Sequence, residues 1–382
     1  MRFDARLNSP SAAGIFHRPI VWFFGVICVE RIMLSHYDEK SRLRQIMGDA
    51  RENWTNILSA AEASQEQSAK ISKLLDDPEL PLGNEDGSFV VFGSLARQEW
   101  TRGSDVDWTL LIDGQADPNH IHAAHKFRKR LDSNGFPPPG AAGVFGNLSF
   151  SHEIIHQIGG QSDSNRNTTQ RVLLLLESAA LGTHGEAFER VIRQVLNRYL
   201  ADDPTYRKLP RFLLNDIIRF WRTVAVDFAG KQRDRGGKGW GLRNAKLRMS
   251  RKLVFTAGML QCFGAQLSAS AKGETPGTRP VLDYLLESVR TTPLETVAAA
   301  CTGLEKDGNA IGKTIFSNYD KFLGILNDEE KRRSLENLEA GKSTDDPIFR
   351  DIRDIGDKFQ LGLIALLFSD KYAKLTKEYG VF

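Results

Sequence analysis

The sequence predicts an α+β fold: a small mixed sheet with a long N-terminal helix, followed by an all-helical C-terminal domain. Three observations carry that expectation. Residues 35–75 repeat apolar side chains at three- and four-residue steps (Leu43, Ile46, Met47, Trp54, Ile57, Leu58, Ile71, Leu74), the stripe of one amphipathic helix or of two in line. Phe89-Val90-Val91-Phe92 and Trp108-Thr109-Leu110-Leu111-Ile112 are short apolar runs that follow turn residues, as buried strands do. From residue 185 onward the periodicity is helical, with helices expected near 185–200, 208–230, 241–267, 279–290, 293–304, 312–326, 328–340 and 347–378.

The first helical stretch stops before Asp77-Pro78 and the breaker-rich run from Pro81 to Gly87. After the two strands, Asp117-Pro118 opens a helix over 119–131 with a basic face of Lys126, Arg128, Lys129 and Arg130. Its three histidines, His120, His122 and His125, are expected to be solvated. Phe145 to Gly160 reads as a strand or an irregular segment. Asn167 or Thr168 is expected to cap the apolar helix that ends at Glu177. The boundaries that follow are an N-terminal extension over 1–34, a first domain over 35–184 and a helical domain over 185–382.

Composition narrows the class. The chain has 382 residues, 41% hydrophobic and 26% charged, so it has room for two or three domains and an ordinary buried core. A net charge of +3 is too mild to demand a nucleic-acid partner by itself. Cys28, Cys262 and Cys301 lie far apart without a CxxC pair, which fits a reducing, cytoplasmic setting with no disulfide framework or thiolate zinc site. The apolar run Ile20 to Val29 is well short of the roughly 20 residues that span a bilayer, and no small-residue cleavage site follows it. A membrane role is therefore not expected, and Met33 is expected to begin the folded chain. No internal repeat or low-complexity tract supports a purely structural role.

The chemistry concentrates between the two strands. Alternate residues of an extended chain face the same way, so Asp105 and Asp107 stand side by side. At about 4 Å and an effective dielectric near 20, two such charges repel by about 4 kcal/mol. A cation between them removes that cost, and carboxylates are the ligands Mg2+ (or Mn2+) accepts while keeping room for water and phosphate oxygens. Gly93 and Ser94 supply a turn whose amides and hydroxyl can approach a triphosphate, because glycine has no Cβ in the way.

Gly93-Ser94, ten residues, then Asp105-Val106-Asp107 resembles the signature of the DNA polymerase β-like nucleotidyltransferase superfamily. The intervening Leu95-Ala96-Arg97-Gln98-Glu99 and Ser104 are most similar to the PII-uridylyltransferase-like branch. The resemblance implies transfer of a nucleoside monophosphate from a nucleoside triphosphate to an acceptor, with release of pyrophosphate. It implies Asp105 and Asp107 as metal ligands, Gly93, Ser94, Arg97 and Ser104 near the nucleotide, and a third carboxylate on a neighbouring strand. Glu153 is the expected third acid, with Asp163 as its rival.

Other stretches bear on the substrate. His152-Glu153-Ile154-Ile155-His156 matches H-E-x-x-H, which on a helix sets two imidazoles on one face for Zn2+, as in metallopeptidases. On a strand Glu153 instead points away from both histidines. Arg166 and Arg171, at the start of the helix before Glu177, form a plausible anion site. From Lys231 to Lys252 lie Arg233, Arg235, Lys238, Arg243, Lys246, Arg248 and Arg251, opposed by Asp234 alone. Lys238 is the candidate here for a phosphate contact, and Trp240 for stacking a base. The acceptor (protein, RNA, small molecule or a second nucleotide) and the oligomeric state are not legible. Alternatives to simple transfer are a cyclic or linear oligonucleotide signal synthase, a non-catalytic nucleotide-binding module and the zinc peptidase.

Overall fold

β1 (Gly87–Phe92) is buried at all six positions, which is why its sequence is an unbroken apolar run. In the computed structural model, which describes residues 37–38, 40–76, 86–139, 144–201, 209–234, 239–271 and 278–380, it is a central strand of a four-stranded mixed sheet. The expected extension over 1–34 and the candidate Lys238 lie outside the described residues. β1 pairs antiparallel with β2 (Asp107–Ile112) and with β4 (Ser178–Leu181), and β2 pairs in parallel with β3 (Asn147–Phe150), giving the order β3-β2-β1-β4. The mixed sheet within an otherwise helical chain is the α+β class that the sequence predicts.

Strand alternation divides the two apolar layers. Phe89, Val91, Trp108, Leu110 and Ile112 face α4 (Pro118–Ser133), where Phe127 stacks between them. The Phe89 ring centroid lies 5.4 Å from Trp108 and 3.9 Å from Phe127. Val90, Phe92 and Leu111 face the other way, into the large core that runs through the helical half. Asp117 caps α4, and the buried His120 closes the capping box by accepting from the Asp117 amide. His120 is therefore a helix cap rather than a solvated histidine.

Where one long N-terminal helix or two in line was expected, two helices form: α1 (Arg42–Asp49) and α2 (Thr55–Leu75). Arg51, with φ of 51°, breaks them apart. Trp54 precedes α2 and has no oxygen with which to cap it. Asp320 does so instead, accepting from the Asn56 and Ile57 amides at 2.8 and 3.0 Å. Asp320 belongs to α13 (Gly308–Asn327). Glu295, from α12 (Pro293–Thr302), serves α1 similarly, accepting from Ser41 Oγ at 2.8 Å and the Leu43 amide at 3.3 Å. Both N-terminal helices are thus anchored to the helical half by carboxylates at their positive ends.

The Phe145–Gly160 segment divides into β3 and α5 (Ser151–His156), followed by α6 (Asn165–Leu176), capped by Ser164 rather than Asn167 or Thr168. β4, four residues long, was not anticipated. The helical half comprises α7 (Glu186–Ala201), α8 (Arg211–Asp234), α9 (Trp240–Lys246), α10 (Lys252–Ala271), α11 (Thr278–Ser288), α12, α13, α14 (Glu329–Asn337) and α15 (Pro347–Leu367), with a short α16 (Ala373–Leu375). A π-helical turn, Leu247–Arg251, joins α9 to α10.

Candidate active site

The Gly93-Ser94 turn opens α3 (Gly93–Ala96) at the end of β1, and Asp107 pairs with Phe92 across the first register position of β2. Gly93 has φ of +68°, and a Cβ there would lie 3.3 Å from Asp107 Oδ2. Glycine is required twice over, by the left-handed backbone and by the approach of the carboxylate. Gly103 has the same double need: its φ is +73°, and a Cβ would meet Arg332 Nε at 2.8 Å. Arg332, on α14, donates to the Gly103 carbonyl and to Glu336 at 2.9 Å, fixing the second turn from the helical half.

Asp105 and Asp107 line the same two recesses, an inner one beside Gly93, Ser94 and Ser104 and an adjoining cleft of about 450 Å3. Burial and the charge of Asp105 push the Asp107 carboxyl up to about 7, against the pull of Arg251 and Lys246. Among the described residues neither aspartate forms a salt bridge. The pair is thus a concentration of negative charge with no tight cationic partner among the described residues.

Lys246 and Arg251 face the aspartates from the helical half. With about 3.6 residues per turn, a five-residue step on a regular α-helix puts side chains about 140° apart. The π-helical turn between α9 and α10 widens the spiral, so that Lys246 and Arg251 line both recesses together. Such turns recur at functional sites. Burial lowers the Lys246 ammonium below its ordinary range, with Arg332 and Arg251 acting in the same direction against Asp105 and Asp107.

The remaining candidates divide. Arg97 lines the inner recess but is buried between two carboxylates, donating to Glu99 at 2.8 Å and to Glu177. Glu177 is shared with Arg251, whose Nη1 lies 2.7 Å away. Burial alone would raise Glu177, but Arg251 and Arg97 outweigh it and hold the carboxyl below its usual range. Ser104 also lines the inner recess and staples the turn by accepting from the Thr101 amide at 3.1 Å. Arg166 lines the larger cleft and is exposed.

Arg171 does not reach either recess. It is fully buried, bonded to Asp163 at 2.9 Å, Asp216 at 2.8 Å and the Tyr199 hydroxyl at 2.6 Å. Asp163 is occupied by that network and is not beside the aspartates. Glu153 sits on α5, a helix rather than a strand, and is exposed away from both recesses. The strand argument that set it near Asp105 and Asp107 therefore loses its ground. Phe145 instead lines the cleft just ahead of β3, its ring 5.0 Å from Phe92. The helix does bring His152 and His156 together, ring centroids 4.9 Å apart. Among the described residues no group of three or more histidine, cysteine or acidic side chains is arranged to hold a metal. That leaves the imidazole pair without a third ligand among the described residues.

Sequence reasoning placed Lys246 and Arg251 only within a basic patch, and it missed Arg332. Helical spacing gathers Arg243, Lys246 and Arg251 on one stretch but does not say which of them faces the aspartates. No helix among the described residues is long and apolar enough to cross a membrane. No curated protein and no solved structure matches the chain. Residues 42–147, the segment that carries Gly93, Ser94, Asp105 and Asp107, match the family model described as Putative nucleotidyltransferase DUF294, which places this segment with the nucleotidyltransferase superfamily.

Proposed function

We propose that the protein transfers a nucleoside monophosphate from a nucleoside triphosphate to an acceptor hydroxyl or amine and releases pyrophosphate. The observation that carries this reading is convergence. A glycine-serine turn and two aspartates from one part of the chain meet Lys246 and Arg251 from the other, around one recess. Asp105 and Asp107 fit a hard divalent cation such as Mg2+: both donors are carboxylate oxygens, and burial together with the charge of Asp105 raises Asp107, a cost that a cation would offset. When bound there, Mg2+ supplies charge neutralisation for the phosphates and the leaving group.

The chain's own groups do the rest. The Gly93 amide and Ser94 hydroxyl bind phosphate oxygens, and Lys246 and Arg251 offset the negative charge of the departing pyrophosphate. Phe145 and the apolar side chains of the larger cleft give the nucleoside a dry wall. Glu177 holds Arg251 in place from behind. The acceptor oxygen or nitrogen attacks the α-phosphorus opposite the bridging oxygen that leaves.

A pyrophosphate-release assay with each of the four common NTPs, in Mg2+ or Mn2+, tests the reading. Release by the native protein that disappears in Asp105→Asn and Asp107→Asn supports it. Full metal-dependent turnover in either variant removes these residues from the mechanism.

A further inference from the structure

The larger cleft does not end at its nucleoside wall. It adjoins a second recess of about 400 Å3, and the two share Asn165 and Thr223 in their linings. The outer recess lies along α8, with Ile218 and Val226 as apolar surface and Asn215, Arg219 and Arg222 as polar edge. Val226 is 73% exposed, so its side chain is open to a ligand in this recess. Each recess is of ligand-pocket size, at the small end of the range.

The arginines nearby are not equivalent. Arg171, Arg97 and Arg251 are held by buried or partly buried carboxylates, and Arg219 is partly engaged, donating to the Asp163 carbonyl at 3.1 Å and to Asn165 at 3.0 Å. Arg166 and Arg222 are exposed and form no salt bridge among the described residues. They stand in the linings of adjoining recesses whose inner end holds the acid pair. Two uncommitted guanidinium groups beside an apolar patch suit a ligand that combines a phosphate with a nucleobase, since arginine binds phosphate oxygens bidentately and its plane stacks on bases.

Resting on the transferase reading above, we propose that the outer recess is the acceptor site and that the acceptor is itself a nucleotide, free or at the end of an oligonucleotide. Its ribose hydroxyl oxygen bonds to the α-phosphorus of the donor. The bond from that phosphorus to the bridging oxygen breaks, the electron pair leaves with pyrophosphate, and the hydroxyl proton passes to water. The product is a phosphodiester between two nucleosides.

Binding stoichiometry tests this without requiring turnover. Equilibrium dialysis with an α,β-methylene NTP and Mg2+ is expected to give two nucleotides per native chain and one per chain in Arg222→Glu and in Val226→Glu. Both substitutions lie on the exposed face of α8, so helix content and melting midpoint stay unchanged. A 5′-phosphorylated dinucleotide that displaces only the second nucleotide identifies an oligonucleotide end as the acceptor, and failure to displace identifies the mononucleotide. One nucleotide per chain in the native protein, or two that survive both substitutions, overturns the acceptor assignment while leaving the donor site standing. No nucleotide bound at all overturns both.

Discussion

Asp107 carries the strongest pH dependence expected of the site. Its carboxyl, pushed up to about 7, is protonated in the metal-free protein at mildly acidic pH, so Mg2+ affinity and turnover fall as pH drops below about 7. Higher Mg2+ moves that midpoint to lower pH, which a metal titration at several pH values will show. The stability effect runs the other way. An acid whose folded pKa is raised contributes stability below its unfolded value near 3.8 and loses it as pH rises through about 7. Asp107→Asn should therefore stabilise the metal-free protein by about 1–3 kcal/mol at pH 8 and by less at pH 5, as read from unfolding midpoints, while abolishing transfer. Gly93→Ala puts a methyl group 3.3 Å from the Asp107 carboxylate on a left-handed backbone. It should cost about 1 kcal/mol in stability and lower turnover by about 10- to 100-fold. These residues were legible in the sequence because their partners lie within a fifteen-residue window, where turn chemistry and strand alternation settle the geometry. Arg171 was misread for the opposite reason. Tyr199 and Asp216, which bury it, are 28 and 45 residues away.

Among the elements, the π-helical turn and the Glu177 network decide whether the two cations meet the two acids. Deleting Arg248 shortens the step from Lys246 to Arg251 to four residues, about 40° apart on a regular α-helix. The two cations then share one face without the π-helical turn, and NTP affinity should be kept within about threefold with helix content retained by circular dichroism. Glu177→Ala strands Arg97 and Arg251 without their shared carboxylate. A loss of about 3–5 kcal/mol is expected in chemical denaturation, the range for removing one partner of a buried ion pair. Most helices were visible from their apolar stripes. The strand β4 was not, since four residues give alternation too little length to register, and the turn of α5 was masked by the strand-like residues before it.

Taken whole, the molecule is stitched across its halves. The segment matched by the family model begins with α1 and α2, yet Glu295 and Asp320, which cap them, come from α12 and α13. Residues 37–184 expressed alone should leave both caps missing and the large core open, and so should aggregate or unfold. Glu295→Ala and Asp320→Ala in the full chain should each cost about 0.5–2 kcal/mol by denaturant titration. Sequence periodicity could assign these helices but not their caps, which sit more than 250 residues away. The bond that Glu177 makes simultaneously to Arg97 and Arg251 has a further consequence for how substrate arrives. A clamshell motion that swung the halves apart would have to tear this buried cluster open at each cycle, at a cost of several kcal/mol. On the transferase reading proposed above, nucleotides enter from the flank of a cleft that stays shut at its back, and small-angle scattering should show no change in overall dimensions when an NTP is added.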